Sequence, residues 1–315
     1  MHIPVLLKES IEILSPKKGE FFIDATIGGG GHSAEILKKI GASGKLLGVD
    51  WDKDAIESLN LPAGGGKFKD CKNIILVNGN YADLPEILKE NKLPKADGLL
   101  LDLGMSSDQL EHSGRGFSFL RDEPLIMTYM TNLANRFLTA AEVVNSFSGK
   151  ELADIFWKYG EERYSRQIAK NIVEERNPRA KSASWLIGAG QGKKRILTTF
   201  ELVEIIKKAV PKNYEQGRIH PATKVFQALR IYVNGELDNL EKLLKNLTAV
   251  LKSNGRAVII SFHSLEDRLV KNNFRQMVKE RKAEFLAKKP IRPSIEEIRN
   301  NLRARSAKMR AIKII

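Results

Sequence analysis

Over the first hundred residues, short apolar runs alternate with segments of helical period. "EFFIDAT" (20–26) is short, apolar and rich in aromatics, which predicts a buried strand. "HSAEILKKI" (32–40) sets Ile36, Leu37 and Ile40 on one face of a helix. "GKLLGVDWD" (44–52) predicts a second buried strand ending in Asp50, "KDAIESL" a short helix, and "PAGGGKFKD" (62–70) a loop. "NIILVNGNY" (73–81) and "ADGLLLDLG" (96–104) predict a third and a fourth strand. Apolar strands alternating with helices predict a parallel sheet covered by helices on both faces.

The pattern changes beyond this point. From about residue 113 to 216 helical periods dominate and no convincing strand is found. "KELADIFWKYGEERYSRQIAKNIVEERN" (150–177) predicts a long amphipathic helical region. "TTFELVEIIKKAV" (198–210) opens with Thr198 and places Glu201 three residues on, the spacing of a capping box. "PRAKSASWLIGAGQGKKR" (178–195) mixes glycine, serine and cations and predicts a loop. The alternating pattern returns after 217. Residues 221–251 predict helix, "GRAVIISF" (255–262) a buried strand, 266–281 a helix and "MRAIKII" (309–315) a closing edge strand. The expected organisation is an α/β core built from 1–112 and 217–315, interrupted by an inserted helical domain at 113–216.

Composition narrows the class. The 315 residues are 42% hydrophobic and 29% charged, the balance of a soluble globular chain. No apolar run is long enough to span a bilayer, and "MHIPVLLKES" has no signal-peptide pattern, so a cytoplasmic protein with no membrane partner is expected. The single cysteine, Cys71, excludes an internal disulfide. The net charge is +14, and the last fifty residues hold fifteen Lys/Arg against six Asp/Glu, a local +9. That concentration points to a polyanion, most simply nucleic acid, although a solvated lysine-rich surface gives the same count. The oligomeric state stays open, a homodimer included.

Four consecutive glycines follow the first strand in "DATIGGGGHS" (24–33). A glycine-rich turn between strand and helix lets a ligand approach the backbone, and Asp50, about twenty residues on at the next strand end, suits a ribose diol. The spacing alone leaves a nicotinamide dinucleotide open. Asp24, just before the loop, disfavours a pyrophosphate and favours the ammonium of S-adenosylmethionine. Asp24 is equally suited to stapling the loop.

The fourth strand ends in Asp102 and continues through Gly104, Ser106, Ser107 and Gln109, small and polar residues able to line a pocket for a flat base. With these segments in place, the sequence resembles the bacterial ribosomal RNA small-subunit methyltransferase H family, also called MraW. The resemblance is carried by "HIPVLLKE" (2–9), "DATIGGGGHS" (24–33), "DGLLLDLGMSS" (97–107), "RGFSF" (115–119), "YGEERYSRQIAKNIV" (159–173), "HPATKVFQALRIYVN" (220–234), "ISFHSLEDRLVK" (260–271) and "RARSAKMR" (303–310). It implies a class I, Rossmann-like S-adenosylmethionine methyltransferase sheet with an inserted helical domain. It also implies methylation of N4 of a cytidine in the decoding region of 16S rRNA, with the small ribosomal subunit as partner.

Carried onto these positions, the resemblance implies cofactor contacts from Gly30, Gly31 and His32, Asp50 at the ribose, Tyr81 beside the adenine, and Asp102 and Gln109 closing the site. N4 of cytosine is a weak nucleophile, so a group must accept hydrogen bonds from it as charge develops. Asp102, Ser106 and Ser107 are the candidates, with His263 after the later strand as a further one; a structural histidine explains His263 as well. Arg303, Arg305, Lys308 and Arg310 are candidates for phosphate contacts. One departure stands out: where the family usually reads Leu-Asp-Met-Arg-Met-Asp, this chain has Leu125-Ile-Met-Thr-Tyr-Met130. Ile126, Thr128 and Met130 cannot make the ion pairs of the residues they replace. Asn301-Leu302 also replaces the usual Asn-Pro. A binding protein that keeps the cofactor site without turnover, and a nicotinamide-dependent oxidoreductase, are the competing readings.

Overall fold

In an extended chain, successive side chains face opposite ways, so a strand buried on both faces must be apolar throughout. The computed structural model, which describes residues 3–60, 67–68, 71–105, 109–110, 113–130, 138–177, 194–211, 213–214 and 219–315, follows this rule. In β1 (Phe21–Asp24), Phe21 and Ile23 enter one apolar layer and Phe22 the other. The same split holds in β4 (Ala96–Asp102) between Leu99 or Leu101 and Leu100, and in β5 (Leu251–Ser261) between Ile259 and Val258.

The chain divides into two compact units, Met1–Ser106 with Leu237–Ile315, and Ser107–Glu236. The first holds a seven-stranded sheet in the order β3-β2-β1-β4-β5-β7-β6. Here β2 is Lys45–Asp50, β3 Ile74–Asn78, β6 Ala283–Phe285 and β7 Lys308–Ile314. Strands β3 to β5 are parallel, with Phe22 opposite Leu46 on one side and Gly98 on the other. β7 runs antiparallel to both β5 and β6. This is the class I sheet that the resemblance implies. The C-terminal strand is not the edge, contrary to expectation. The edge is β6, three residues long and too short to stand out as a periodic run.

Helices α1 (Leu7–Leu14) and α2 (Gly31–Ile40) cover one face through Leu14, Ile36 and Ile40. Helix α3 (Lys53–Asn60) packs Ile56 and Leu59 with Ile27 and Phe68. Helix α4 (Leu84–Glu90) covers the other face through Leu84, Ile87 and Leu88.

The second unit is helical: α5 (Ala140–Ser146), α6 (Gly149–Gly160), α7 (Ser165–Arg176), α8 (Thr199–Ala209) and α9 (Ala222–Asn234). The expected capping box at Thr198 and Glu201 is formed, and α5 and α6 begin with others, Thr139 with Glu142 and Ser148 with Glu151. The single helical region expected over 150–177 is two helices. They part at Glu161, left-handed at φ 49°, and the next residue, Glu162, is fully buried. Its carboxylate accepts the Tyr164 N–H at 2.8 Å and the Tyr214 hydroxyl at 2.6 Å. Helix α9, read from the sequence as part of the core, packs against α6 in this unit. A Cβ at Gly160 would lie 2.5 Å from the Lys224 carbonyl, so these two helices meet at backbone distance. Amphipathic period identifies a helix with an apolar face but not the partner for that face. Arg176 donates to the carbonyls of Val144 and Phe147 at the end of α5.

The helical region expected over 221–251 also breaks, at Gly235 (φ 58°), before the chain re-enters the first unit through α10 (Glu236–Lys245) and α11 (Leu247–Val250). Helices α12 (Ser264–Lys279) and α13 (Ile295–Asn300) follow β5 and β6. α10, α11 and α12 join α4 on its face of the sheet through Leu243, Leu247 and Phe274. No helix among the described residues is long and apolar enough to cross a membrane.

Candidate active site

Parallel strands end together, so their terminal residues converge at one edge of the sheet, where the order of connections reverses between β1 and β4. In the first unit that edge carries Asp24, Asp50 and Asp102, the last residues of β1, β2 and β4. Burial is the largest cause raising each of them, to about 6 for Asp24 and Asp50 and about 7 for Asp102. The charges of Asp24 and Glu266 push Asp102 further up, against one hydrogen bond from the Gly104 N–H.

Their hydrogen bonds assign each a different task. Asp24, only 2% exposed, accepts the Ser33 hydroxyl at 2.6 Å and the Thr26 N–H at 3.4 Å, so it staples the loop. This is the loop-stapling role expected of it from sequence. Asp50 accepts the Gly28 N–H on Oδ2 at 2.8 Å and the Asp52 N–H on Oδ1 at 2.9 Å. Each oxygen holds one donor and keeps acceptor capacity for another, which suits a pair of hydroxyls. The Asp102 N–H donates to Thr26 Oγ1 at 2.7 Å, fixing the strand end. Asp102 Oδ2 lies 3.9 Å from His32 Nδ1, while Oδ1 is buried with no partner among the described residues. Such an atom awaits a donor or a cation.

The glycine run divides into two parts. A Cβ at Gly30 would lie 2.5 Å from the Phe68 ring, and one at Gly31 2.2 Å from Pro4. At these two positions the space a side chain would need is filled by protein, not left for a ligand. At Gly28 the nearest atom to such a Cβ is 3.9 Å away, and Gly29 is exposed. Gly30 also has φ 67°, so Gly30→Ala combines a left-handed backbone with overpacking. It is expected to lower stability by roughly 2–4 kcal/mol, read from urea unfolding.

His32 is buried, with Nε2 3.1 Å from the Val5 carbonyl oxygen. Tyr81 opens a helical turn just after β3 and packs on the core beside α4. Gln109 belongs to the second unit, where its carbonyl accepts the Ser113 hydroxyl. Ser106 and Ser107 lie outside the described residues. His263 caps α12: its Nδ1 accepts the Glu266 N–H at 3.4 Å, while Nε2 is 3.1 Å from Glu266 Oε1 without an aligned hydrogen bond. Glu266, 3% exposed, accepts the Phe262 N–H in return. Sequence reasoning missed Glu266 and Thr26. The signal for Glu266 was present, because His-x-x-Glu in "SFHSLEDR" has capping-box spacing with histidine in place of serine.

The departing segment 125–130 is integrated into the second unit. Leu125, Met127 and Thr128 are buried, and Thr128 Oγ1 accepts the Met130 N–H. Asn234 bridges the segment, accepting from the Tyr129 N–H at 2.9 Å and donating to the Met127 carbonyl at 2.7 Å. Tyr129 stacks on Phe117 with centroids 5.3 Å apart and donates its hydroxyl to Glu236, which Arg230 also grips with two bonds. Of the four cations expected at phosphates, Lys308 and Arg310 are paired with Asp267, which holds their charge inside the fold.

The chemistry of the site fits a cofactor with a diol and a cation. Three acids with raised pKa values gain from a positive neighbour and resist a pyrophosphate. The loop cation Lys67 donates to the Gly29 carbonyl. The comparisons agree with this reading. The sequence matches the MraW methylase family over residues 1–315. It is 43% identical to the ribosomal RNA small subunit methyltransferase H of Clostridium botulinum (strain Loch Maree / Type A3), over 100% of this chain and 99% of that protein. Identity to the protein of the same name from Syntrophotalea carbinolica is 43%, over 99% of this chain and 97% of that one. For the one from Dictyoglomus thermophilum it is 44%, over 98% and 95%. The chain is a methyltransferase that belongs, over its whole length, to the MraW methylase family.

Proposed function

We propose that this protein transfers a methyl group from S-adenosylmethionine to N4 of a cytidine in the decoding region of 16S rRNA, acting in the cytoplasm on the small ribosomal subunit. The observation that carries the reading is the buried Asp102 Oδ1, without a partner among the described residues, in a group of three acids at one sheet edge. S-adenosylmethionine supplies the methyl group as an activated sulfonium. Asp50 holds the ribose hydroxyls, and the backbone of the glycine loop through Gly30, Gly31 and His32 flanks the methionine end. Tyr81 lies beside the adenine.

Asp102 accepts a hydrogen bond from the target amino group and takes a proton from it as the new N–C bond forms. A carboxylate near 7 is poised for that transfer. Ser106 and Ser107 orient the base, and His263 fixes the start of α12. The inserted helical domain, 113–216 in the sequence reading, holds the RNA. The cytidine leaves any helix to reach Asp102.

The test is incubation of the purified protein with methyl-labelled S-adenosylmethionine and small subunits from cells lacking this methylation. N4-methylcytidine at one decoding-region position is the expected product. No label, with cofactor binding intact and a relative active on the same subunits, would overturn the assignment.

A further inference from the structure

Most acids of the C-terminal stretch are already engaged, the exposed Glu296 being the exception among the described residues. Asp267 is held by Lys308 and Arg310, Glu280 by Lys282 and Gln276, and Glu284 by Lys313. Arg275 and Lys279 on α12, Arg281 in the turn after it, and Lys288, Lys289 and Arg292 after β6 are all exposed and have no side-chain hydrogen bond or ion pair among the described residues, Lys279 feeling only the charge of Glu280 nearby. Elsewhere in the first unit some exposed lysines sit in local pairs, Lys8 with Glu12, Lys38 with Glu35, Lys53 with Glu57 and Lys245 with Glu241, while the exposed Lys17, Lys18, Lys39, Lys45 and Lys72 lie near the starts of β1 to β3, at the end of the sheet away from the acids. These six cations flank one feature, the free edge of β6, whose only strand partner among the described residues is β7.

We infer that this band around the β6 edge and the end of α12 binds the phosphate backbone of the substrate RNA outside the target nucleotide. The inference rests on the RNA methyltransferase reading above. Helix α12 starts at its cap His263, beside the acid cluster, and Arg275 stands about 18 Å along it. That is a few nucleotides of extended strand, so one RNA can reach both places. Cations at a sheet edge also guard against edge-to-edge pairing. That role would be met by charge on β6 itself, whereas β6 carries Glu284 and the cations flank it.

The triple variant Arg275→Gln, Lys279→Gln, Arg281→Gln separates the two roles. Binding of a fluorescein-labelled 20-nucleotide single-stranded RNA is measured across a salt series. The slope of log K against log salt is expected to fall in magnitude by about 2 for three lost phosphate contacts. Affinity at low salt should drop by roughly tenfold or more. The second triple, Lys288→Gln, Lys289→Gln, Arg292→Gln, is expected to do the same, so neither result depends on one variant's folding. Melting temperature and S-adenosylmethionine affinity should hold in both. A control of equal charge change, Lys8→Gln, Lys38→Gln, Lys245→Gln, is expected to leave the slope in place. Unchanged slopes in both test variants would overturn the inference, as would an equal loss in the control. Methylation by the unaltered protein is scored separately. A labelled product with unchanged slopes sinks this surface alone. A changed slope without product keeps the surface and sinks the reaction.

Discussion

Asp102→Asn is expected to reduce methyl transfer on the order of 100-fold at saturating S-adenosylmethionine, with the fold intact. The substitution keeps the shape of the side chain and, with the amide nitrogen at the Oδ1 place, presents a donor where an acceptor is required. Oδ1 is buried with no partner among the described residues, and the strand end that carries it is fixed by the Thr26 hydroxyl. The orientation of the residue therefore survives while its chemistry does not. Single-turnover transfer of labelled methyl to small subunits reads the loss, and circular dichroism with thermal melting reads the fold. Near-normal transfer by the variant would remove Asp102 from the reaction.

Two opposite pH trends are the second large expected result. Asp24, Asp50 and Asp102 keep their protons to about 6, 6 and 7 in the folded protein, against an ordinary value of 3.8. Between pH 4 and 7 the folded state therefore binds more protons than the unfolded chain. Their contribution to stability is then lost as pH rises through that window. Removing one of these charges should help the ligand-free protein: at pH 7.5, Asp102→Asn is expected to melt roughly 2–5 °C higher. Cofactor binding should run the other way, because a cation favours the ionised acids. S-adenosylmethionine affinity is expected to rise on the order of 30-fold from pH 5.5 to 8, with a bend near 7. Calorimetric titration across that range checks it, and Asp102→Asn should flatten the profile. A flat profile in the unaltered protein would mean that the acid cluster does not meet the cationic end of the cofactor.

Much of the core is legible in the pattern of apolar positions. Apolar runs of four to seven residues, each followed by a helical period, leave few arrangements other than a covered parallel sheet, and strands β1 to β5 stand where those runs are. Asp50 and Asp102 can be placed from sequence because a strand end is a local feature and parallel strands end on the same side. The capping box at Thr198 is equally local.

What escapes the sequence depends on distant neighbours. The glycine run suggests open space for a ligand, yet at Gly30 and Gly31 the space belongs to Phe68 and Pro4, which approach from other parts of the chain. Lys308 and Arg310 read as free for phosphates, but β7 lays them beside Asp267 on α12. The segment "YGEER" reads as part of one long amphipathic helical region, but the helix breaks there and Glu162 turns inward to accept the Tyr214 hydroxyl. Period and spacing along a chain determine which elements form and which residues stand at their ends. Which charge is left over, which carboxylate is denied a partner and which glycine is crowded are decided by contacts between residues far apart in sequence, and only the folded structure brings those together.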